Sequence, residues 1–273
     1  MRKKALAALL AAAMLAVTGC SGMPGMGTTN APATKAGDEK AADAGSEANA
    51  GSNDTVYELK IHTSQTEQAL ITRNYQKLAD TVNEKSDGRL SVKVFPAGQL
   101  GADEDVIEQA IQGVNVAVNT DAARMGQYVK DFSIFMMAYF VDNYDEGYAV
   151  TQTETFKNWE KELEEKHGIK ILSFSFYDGP RHFMTNKPIN TPDDLKGQRI
   201  RTIGQEVCTE SLAAMGATPI SMSWGEVYNG IQSKALDGCE AQNTSTFPSK
   251  IYEVCNTQSK TGHFPVNAGS DLW

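Results

Sequence analysis

From Thr55 onward the chain alternates between two hydrophobic rhythms. In "VYELKIHT" Tyr57, Leu59 and Ile61 recur at every second position, the period of a half-buried strand. Ile71, Tyr75, Leu78, Ala79 and Val82 then fall on one face at helical spacing, and Ser64 with Glu67 offers a capping box at the start of that helix. Gly88 supplies its end. "RLSVKVFP" alternates again and stops at Pro96, "DEDVIEQAIQG" is a short amphipathic helix led by acids, and "VNVAVNT" is a second apolar strand. A longer polar helix runs from about Asp145 to His167 and leads into the strand-like "GIKILSFSFYDG". Strands and helices in this order predict an α/β fold, a sheet covered by helices.

One later stretch does not fit a plain amphipathic rule. "RHFMTNKPINTPDDLKGQRIRT" gathers basic residues at two extended-looking ends, and in "QRIRT" Arg199 and Arg201 share one strand face while Ile200 takes the other. A cationic strand face must be solvated or must hold an anion.

The segment before Thr55 has a different character. "MRKK" followed by "ALAALLAAAMLAVTG" is a charged region and an apolar region too short to span a bilayer, ending at a small-residue cleavage zone. "VTGC" matches the lipoprotein signal pattern, with Cys20 as the lipidated first residue. Two or more acyl chains attach a protein stably to a membrane without spanning it. Residues 20–54 carry almost no large apolar side chain and read as a flexible leash.

The formal net charge of −9 argues against nucleic acid as a partner. It also means that an anionic ligand must be held by a local cluster, because the field of the whole molecule repels it. No G-x-S-x-G, H-E-x-x-H, P-loop or CxxC pattern is present, and His62, His167, His182 and His263 lack metal-ligand spacing. An enzyme is thereby unsupported and not excluded; the expectation is a protein that is no enzyme and carries no cofactor. Beyond Cys20 the thiols are Cys208, Cys239 and Cys255, which permits either buried reduced thiols or one bridge between Cys239 and Cys255.

Taken in order, "VFPAGQLGADEDVIEQAIQGVNVAV", "NTDAARM", "RHFMTNKPINTPDDLKGQRIRT", "MGATPISMSWGEVYNGIQSKALDGCEA" and "SKIYEVCN" resemble the solute-binding proteins of TRAP transporters, the DctP-type family. The resemblance spans about Val56 to His263, and its most specific part runs from Arg181 to Glu240. It implies a two-lobe, periplasmic-binding-protein-like (type II) α/β fold with a ligand cleft between the lobes. The expected organisation is a signal peptide over 1–19, the lipidated Cys20 and linker over 20–54, a first lobe over 55–178, a second over 179–265, and a return to the first lobe over 266–273. Relatives continue with bracing helices, so a chain stopping at "GSDLW" reads as a fragment or a truncated gene.

The same resemblance assigns ligand-binding roles. Arg201 matches the arginine that clamps the ligand carboxylate, through a two-pronged contact that lysine cannot make. Arg199 then belongs at the solvent rim. Arg181 matches a second cleft-side arginine, and Trp224 an aromatic wall, although core packing would also explain Trp224. Asp121 and Arg124 match an acid and an arginine at the cleft edge, where a surface ion pair is the alternative. Gln65 lies in the loop after the first strand, and Glu240 belongs to the "DGCEA" motif. Ala241 replaces an asparagine of many relatives, which implies a ligand other than a sugar acid such as sialic acid, with Gln242 or Asn243 as substitutes.

The implied partners are a small-molecule carboxylate and a membrane carrier with small and large integral subunits. The protein would be a monomer, held outside the cytoplasm by its lipid at the outer face of the cell membrane. An ABC-type binding lipoprotein, an organic-acid receptor for a sensor kinase and a tethered hydrolase share parts of this pattern.

Overall fold

The structure is a computed structural model that describes residues 55–264 and 268–272. The signal segment, Cys20 and the leash lie outside the described residues.

The first strands and helices follow the hydrophobic pattern closely. β1 (Tyr57–His62), β2 (Leu90–Phe95) and β3 (Val116–Thr120) are strands, separated by α1 (Leu70–Lys85) and α2 (Asp103–Ile111). A short helix α3 (Ala122–Met125) follows, then α4 (Tyr144–Thr151), α5 (Glu154–His167) and β4 (Ile171–Tyr177). β1 lies between β2 and β3, parallel to both, as helix-bearing crossovers require. β4 joins through β10 (Ala268–Leu272), antiparallel to both β3 and β4. The last described strand thus completes the first sheet, in the order β2-β1-β3-β10-β4.

The second sheet is built from β5 (Arg181–Thr185), β6 (Arg199–Thr202), α6 (Glu206–Ala214), β7 (Thr218–Ser221), α7 (Val227–Gln232), β8 (Gly238–Gln242), α8 (Asn243–Thr246) and β9 (Thr257–Phe264). Its order is β7-β6-β8-β5-β9. Gly179 makes the crossing between the sheets at φ +85, a backbone conformation that only glycine adopts freely. At Gly238 the reason is space: a Cβ there would lie 2.3 Å from the Met184 carbonyl oxygen on β5.

Two expectations about helices need correction. Ser64 and Glu67 do not cap α1, which starts at Leu70 behind Ala69 with no side-chain cap; Ser64 Oγ instead donates to Asp103 Oδ2 at 3.4 Å. The helix expected from Asp145 to His167 is two helices. Thr153 adopts an extended conformation between them and accepts the Phe156 N–H with its hydroxyl, so it starts α5 afresh.

Aromatic side chains fill the main core. Phe132 meets Phe156 and Phe135 meets Phe174 at ring-centroid distances of 5.5 and 5.1 Å. Cys208, Cys239 and Cys255 are buried and free, so no bridge links Cys239 to Cys255. Burial pushes the Cys255 thiol up to about 12, and a protonated, enclosed thiol is inert.

Candidate functional site

The carboxyl ends of strands from both sheets meet around a cavity of about 80 Å³. Ser64 and Gln65 follow β1, Asn119 and Thr120 close β3, Arg201 lies near the end of β6, and Ala241 and Gln242 close β8. Ligands of open α/β sheets gather at such strand ends, because loops and helix starts open there. Asp103, Asp121, Arg124, Asp178, Arg181 and Trp224 supply other parts of the wall.

The arginines differ in what balances them. Arg124 is saturated: its guanidinium pairs with Asp121, with Glu104 at 2.7 Å and with Asp103 at 3.4 Å. Arg181 is also matched. It lies opposite Gln242 in the antiparallel β5–β8 register, so Glu240, two residues along, shares its face. The Glu240 carboxylate accepts from Arg181 Nη2 at 2.7 Å and from its Nε, and the Gln242 side chain accepts from Nη1 at 3.2 Å.

Arg201 is the exception. It is 3% exposed, yet among the described residues no carboxylate lies within salt-bridge distance of it. Its Nε donates to the Met222 carbonyl at 2.8 Å, and its guanidinium carbon lies 5.4 Å from the Trp224 ring centroid. Burial, and then the like charge of Arg181, push its pKa down to about 10. Arg199, two residues earlier, forms an exposed pair with Asp237 at 2.9 Å. The strand between them is not half-buried as the alternation suggests. Neighbours on both sides and cover on both faces leave Ile200 and Thr202 fully buried.

Most of the sequence-derived candidates converge here. Gln65, Asp121, Arg124, Arg181, Arg201 and Trp224 all line the cavity. Trp224 is partly buried and donates from Nε1 to Ser249 Oγ at 3.0 Å, which fixes its ring beside Arg201. Glu240 is different: it is fully buried, does not line the cavity, and also accepts the Thr202 hydroxyl at 2.6 Å. It serves as the counter-ion beneath Arg181, so its expected role as a ligand contact gives way to a supporting one. Ala241 and Gln242 both reach the wall.

Two acids of the wall escaped sequence reasoning. Asp103 is buried at the start of α2, where His62 Nε2 lies 3.0 Å from Oδ1. Burial raises its pKa, but Arg124 and His62 outweigh that and hold it below the usual carboxylate range. A signal existed, since Asp103 shares a helical face with the buried Val106, Ile107 and Ala110. Asp178 sits in the crossing between the sheets, and no periodic pattern extends there. Among the described residues no group of three or more His, Cys, Asp or Glu side chains is placed to hold a metal ion.

Comparison with known proteins bears on this geometry. The family of bacterial extracellular solute-binding proteins, family 7 (DctP), matches residues 61–269. The chain belongs to this family. Among DctP-type relatives, the C4-dicarboxylate-binding periplasmic protein of Vibrio cholerae is 29% identical over 68% of this chain and 55% of its own length. A TRAP periplasmic solute-binding protein from Actinobacillus succinogenes with bound L-galactonate superposes with a TM-score of 0.75 at 28% identity, over 79% of this chain and 71% of the other. One from Desulfovibrio salexigens, in complex with diglycerolphosphate, gives 0.74 at 30% identity, over 80% and 69%. The fold is therefore the two-lobe α/β fold of TRAP solute-binding proteins. The chain spans about half to three-fifths of the length of the curated relatives it matches.

Proposed function

We propose that this protein captures a small organic anion by closing Arg201 onto its carboxylate, and hands that ligand to a TRAP membrane carrier without catalysing a reaction. The observation that carries the reading is the buried guanidinium of Arg201, which lacks a carboxylate partner among the described residues. Burial and the neighbouring Arg181 charge push its pKa down to about 10 and so disfavour the charged form. A bound carboxylate would offset that cost, and Arg124 and Arg181, already paired, have no comparable need. The first sheet and the second would form lobes over 55–178 and 179–265, with 266–273 returning to the first, and ligand would favour their closed arrangement by binding it more tightly than the open one. Lipidation at Cys20 would hold the protein at the outer face of the membrane. The anions named for its relatives, a C4-dicarboxylate and L-galactonate, agree with an anionic cargo.

A thermal-shift screen against mono- and dicarboxylates finds a ligand, because one that binds only the folded state raises stability. Titration calorimetry on variants then tests the clamp. Arg201→Ala is expected to weaken binding by roughly 30-fold to several-thousand-fold, the effect of leaving a buried charge unpaired. Arg201→Lys should fall between the parent and Arg201→Ala, since it keeps the charge and loses the fork. Arg199→Ala should change Kd by less than about fivefold, as for an exposed pair. A larger loss in Arg199→Ala than in Arg201→Ala, with both variants folded by circular dichroism, would overturn the assignment.

A further inference from the structure

Three arginines line the cavity, and two of them are already neutralised. Arg124 is paired with Asp121, Asp103 and Glu104, and Arg181 with Glu240. Asp103 is further engaged by His62 at 3.0 Å and by Ser64 at 3.4 Å. Two wall groups then remain without an opposite charge at salt-bridge distance among the described residues: the guanidinium of Arg201 and the carboxyl of Asp178. One is positive and one negative.

One uncharged acceptor of the wall is in the same position as Asp178: Gln65 Oε1 is buried and without a hydrogen-bond partner. Thr120 Oγ1, also buried and unpaired, can donate as well as accept. An amide oxygen can only accept, and so can a carboxylate. A buried acceptor left unpaired is unfavourable, so a ligand that brings a donor to it gains where one that brings a further acceptor does not. Burial raises the Asp178 pKa, with Thr244 and Arg181 only partly opposing it, as expected for an acid short of a cation.

We infer that, given a carboxylate at Arg201, the cavity selects a monocarboxylate that also carries a hydrogen-bond donor, a hydroxyl or an ammonium, for Asp178 or Gln65, and that it rejects dicarboxylates. The inference rests on the Arg201 clamp. A second carboxylate would enter a wall whose other arginines are taken, and it would meet Asp178 and Asp103 as like charges. A hydroxyl or ammonium at the same place donates to those groups, and an ammonium also balances Asp178.

The test is a calorimetric titration of straight-chain carboxylates of three to six carbons, each with a terminal methyl, hydroxyl, ammonium or carboxylate. At the best chain length the hydroxyl or ammonium compound should bind at least about tenfold more tightly than the diacid and the methyl compound. Asp178→Asn, which keeps the shape and removes the charge, should bring the ammonium and diacid affinities within about threefold of each other. A preference for ammonium that Asp178→Asn abolishes marks a zwitterionic ligand, and one for hydroxyl that it weakens only slightly marks a hydroxy acid. The inference is overturned if the diacid binds most tightly at every chain length, or if Asp178→Asn leaves the ratios unchanged. Should that variant not fold, the ratios of the parent protein decide alone. No binding by any carboxylate would be a different failure, that of the Arg201 clamp itself.

Discussion

His263 lies beneath the cavity wall, fully buried and stacked on Phe183 at a centroid distance of 4.2 Å. Thr261 Oγ1 is 2.7 Å from its Nδ1, while Nε2 has no hydrogen-bond partner and lies 3.9 Å from Glu240 Oε2. Burial pushes its pKa down from 6.5 to about 4, against the pull of Glu240. The unfolded chain therefore takes up the proton first. This contribution to stability is complete above about pH 6.5 and is lost as the pH falls toward about 4, up to about 3 kcal/mol in all. Glu240 acts in a lower window. Burial raises its pKa, but the Arg181 charge and hydrogen bonds outweigh that, so the stability it lends is lost only below its ordinary 4.5. His263→Gln should therefore flatten the decline in urea-unfolding free energy between pH 7 and pH 5, whatever it does to stability at pH 7. An unchanged slope over that range would show that the imidazole titrates in the folded state as it does in the unfolded chain.

At the scale of elements, α1 separates what a pattern reveals from what it conceals. The face read from Ile71, Tyr75, Leu78, Ala79 and Val82 is correct on average but wrong at its edge. Tyr75 is 1% exposed and Leu78 is 44% exposed, while the polar Thr72 is fully buried. The helix packs on β1 and β2 through Tyr75 and Ala79, which meet Ile61, Val92 and Ala117. The buried stripe is thus narrower than the apolar arc and turned toward Thr72. Leu78→Ala should cost under about 1 kcal/mol in urea unfolding, whereas Tyr75→Ala should cost about 3 to 5 kcal/mol. Equal losses would mean that both side chains enter the core. The strands were legible because apolar residues alternate through β1 and β2. The break between α4 and α5 was not, because a capping threonine inside a polar stretch looks like one more surface position. At the site, Arg201 and Arg199 could be told apart by strand position and family likeness. The pairing of Arg181 with Glu240 could not, since it depends on the register of β5 against β8, which no local pattern encodes. Asp178 read only as a boundary, because its part in the wall comes from where the chain crosses between the sheets.

The whole molecule raises the question of whether two sheets mean two folding units. Chains of this size commonly unfold through intermediates, lobe by lobe. Here the largest apolar cluster does not respect the division. It joins Val118, Phe132, Phe156 and Leu163 around the first sheet to Phe183, Ile200, Leu212 and Phe264 of the second. Polar links run the same way: Gln127 Nε2 donates to Gln205 Oε1 at 2.6 Å, the Tyr139 N–H to the His263 carbonyl at 3.0 Å, and Thr244 Oγ1 to the Asp178 carbonyl at 2.8 Å. Unfolding either half alone would expose the other's share of that cluster, so the described fold should unfold in one step. Two tryptophans report on it from opposite sides. Trp159 packs against Phe132 and Phe156, and Trp224 borders the smaller cluster of Val227, Ile231 and Leu236. With Trp273→Phe in both proteins, a Trp224→Phe variant leaves only Trp159 and a Trp159→Phe variant leaves only Trp224 as the fluorescent probe. Each fluorescence transition in urea should coincide in midpoint and slope with the far-ultraviolet circular dichroism of the same protein. A ligand found in the thermal-shift screen should raise both midpoints together, because a site built from both sheets is lost when either opens. If Trp224 reports a transition at lower urea than circular dichroism does, the smaller cluster opens before the shared core, and the second sheet holds a unit of its own.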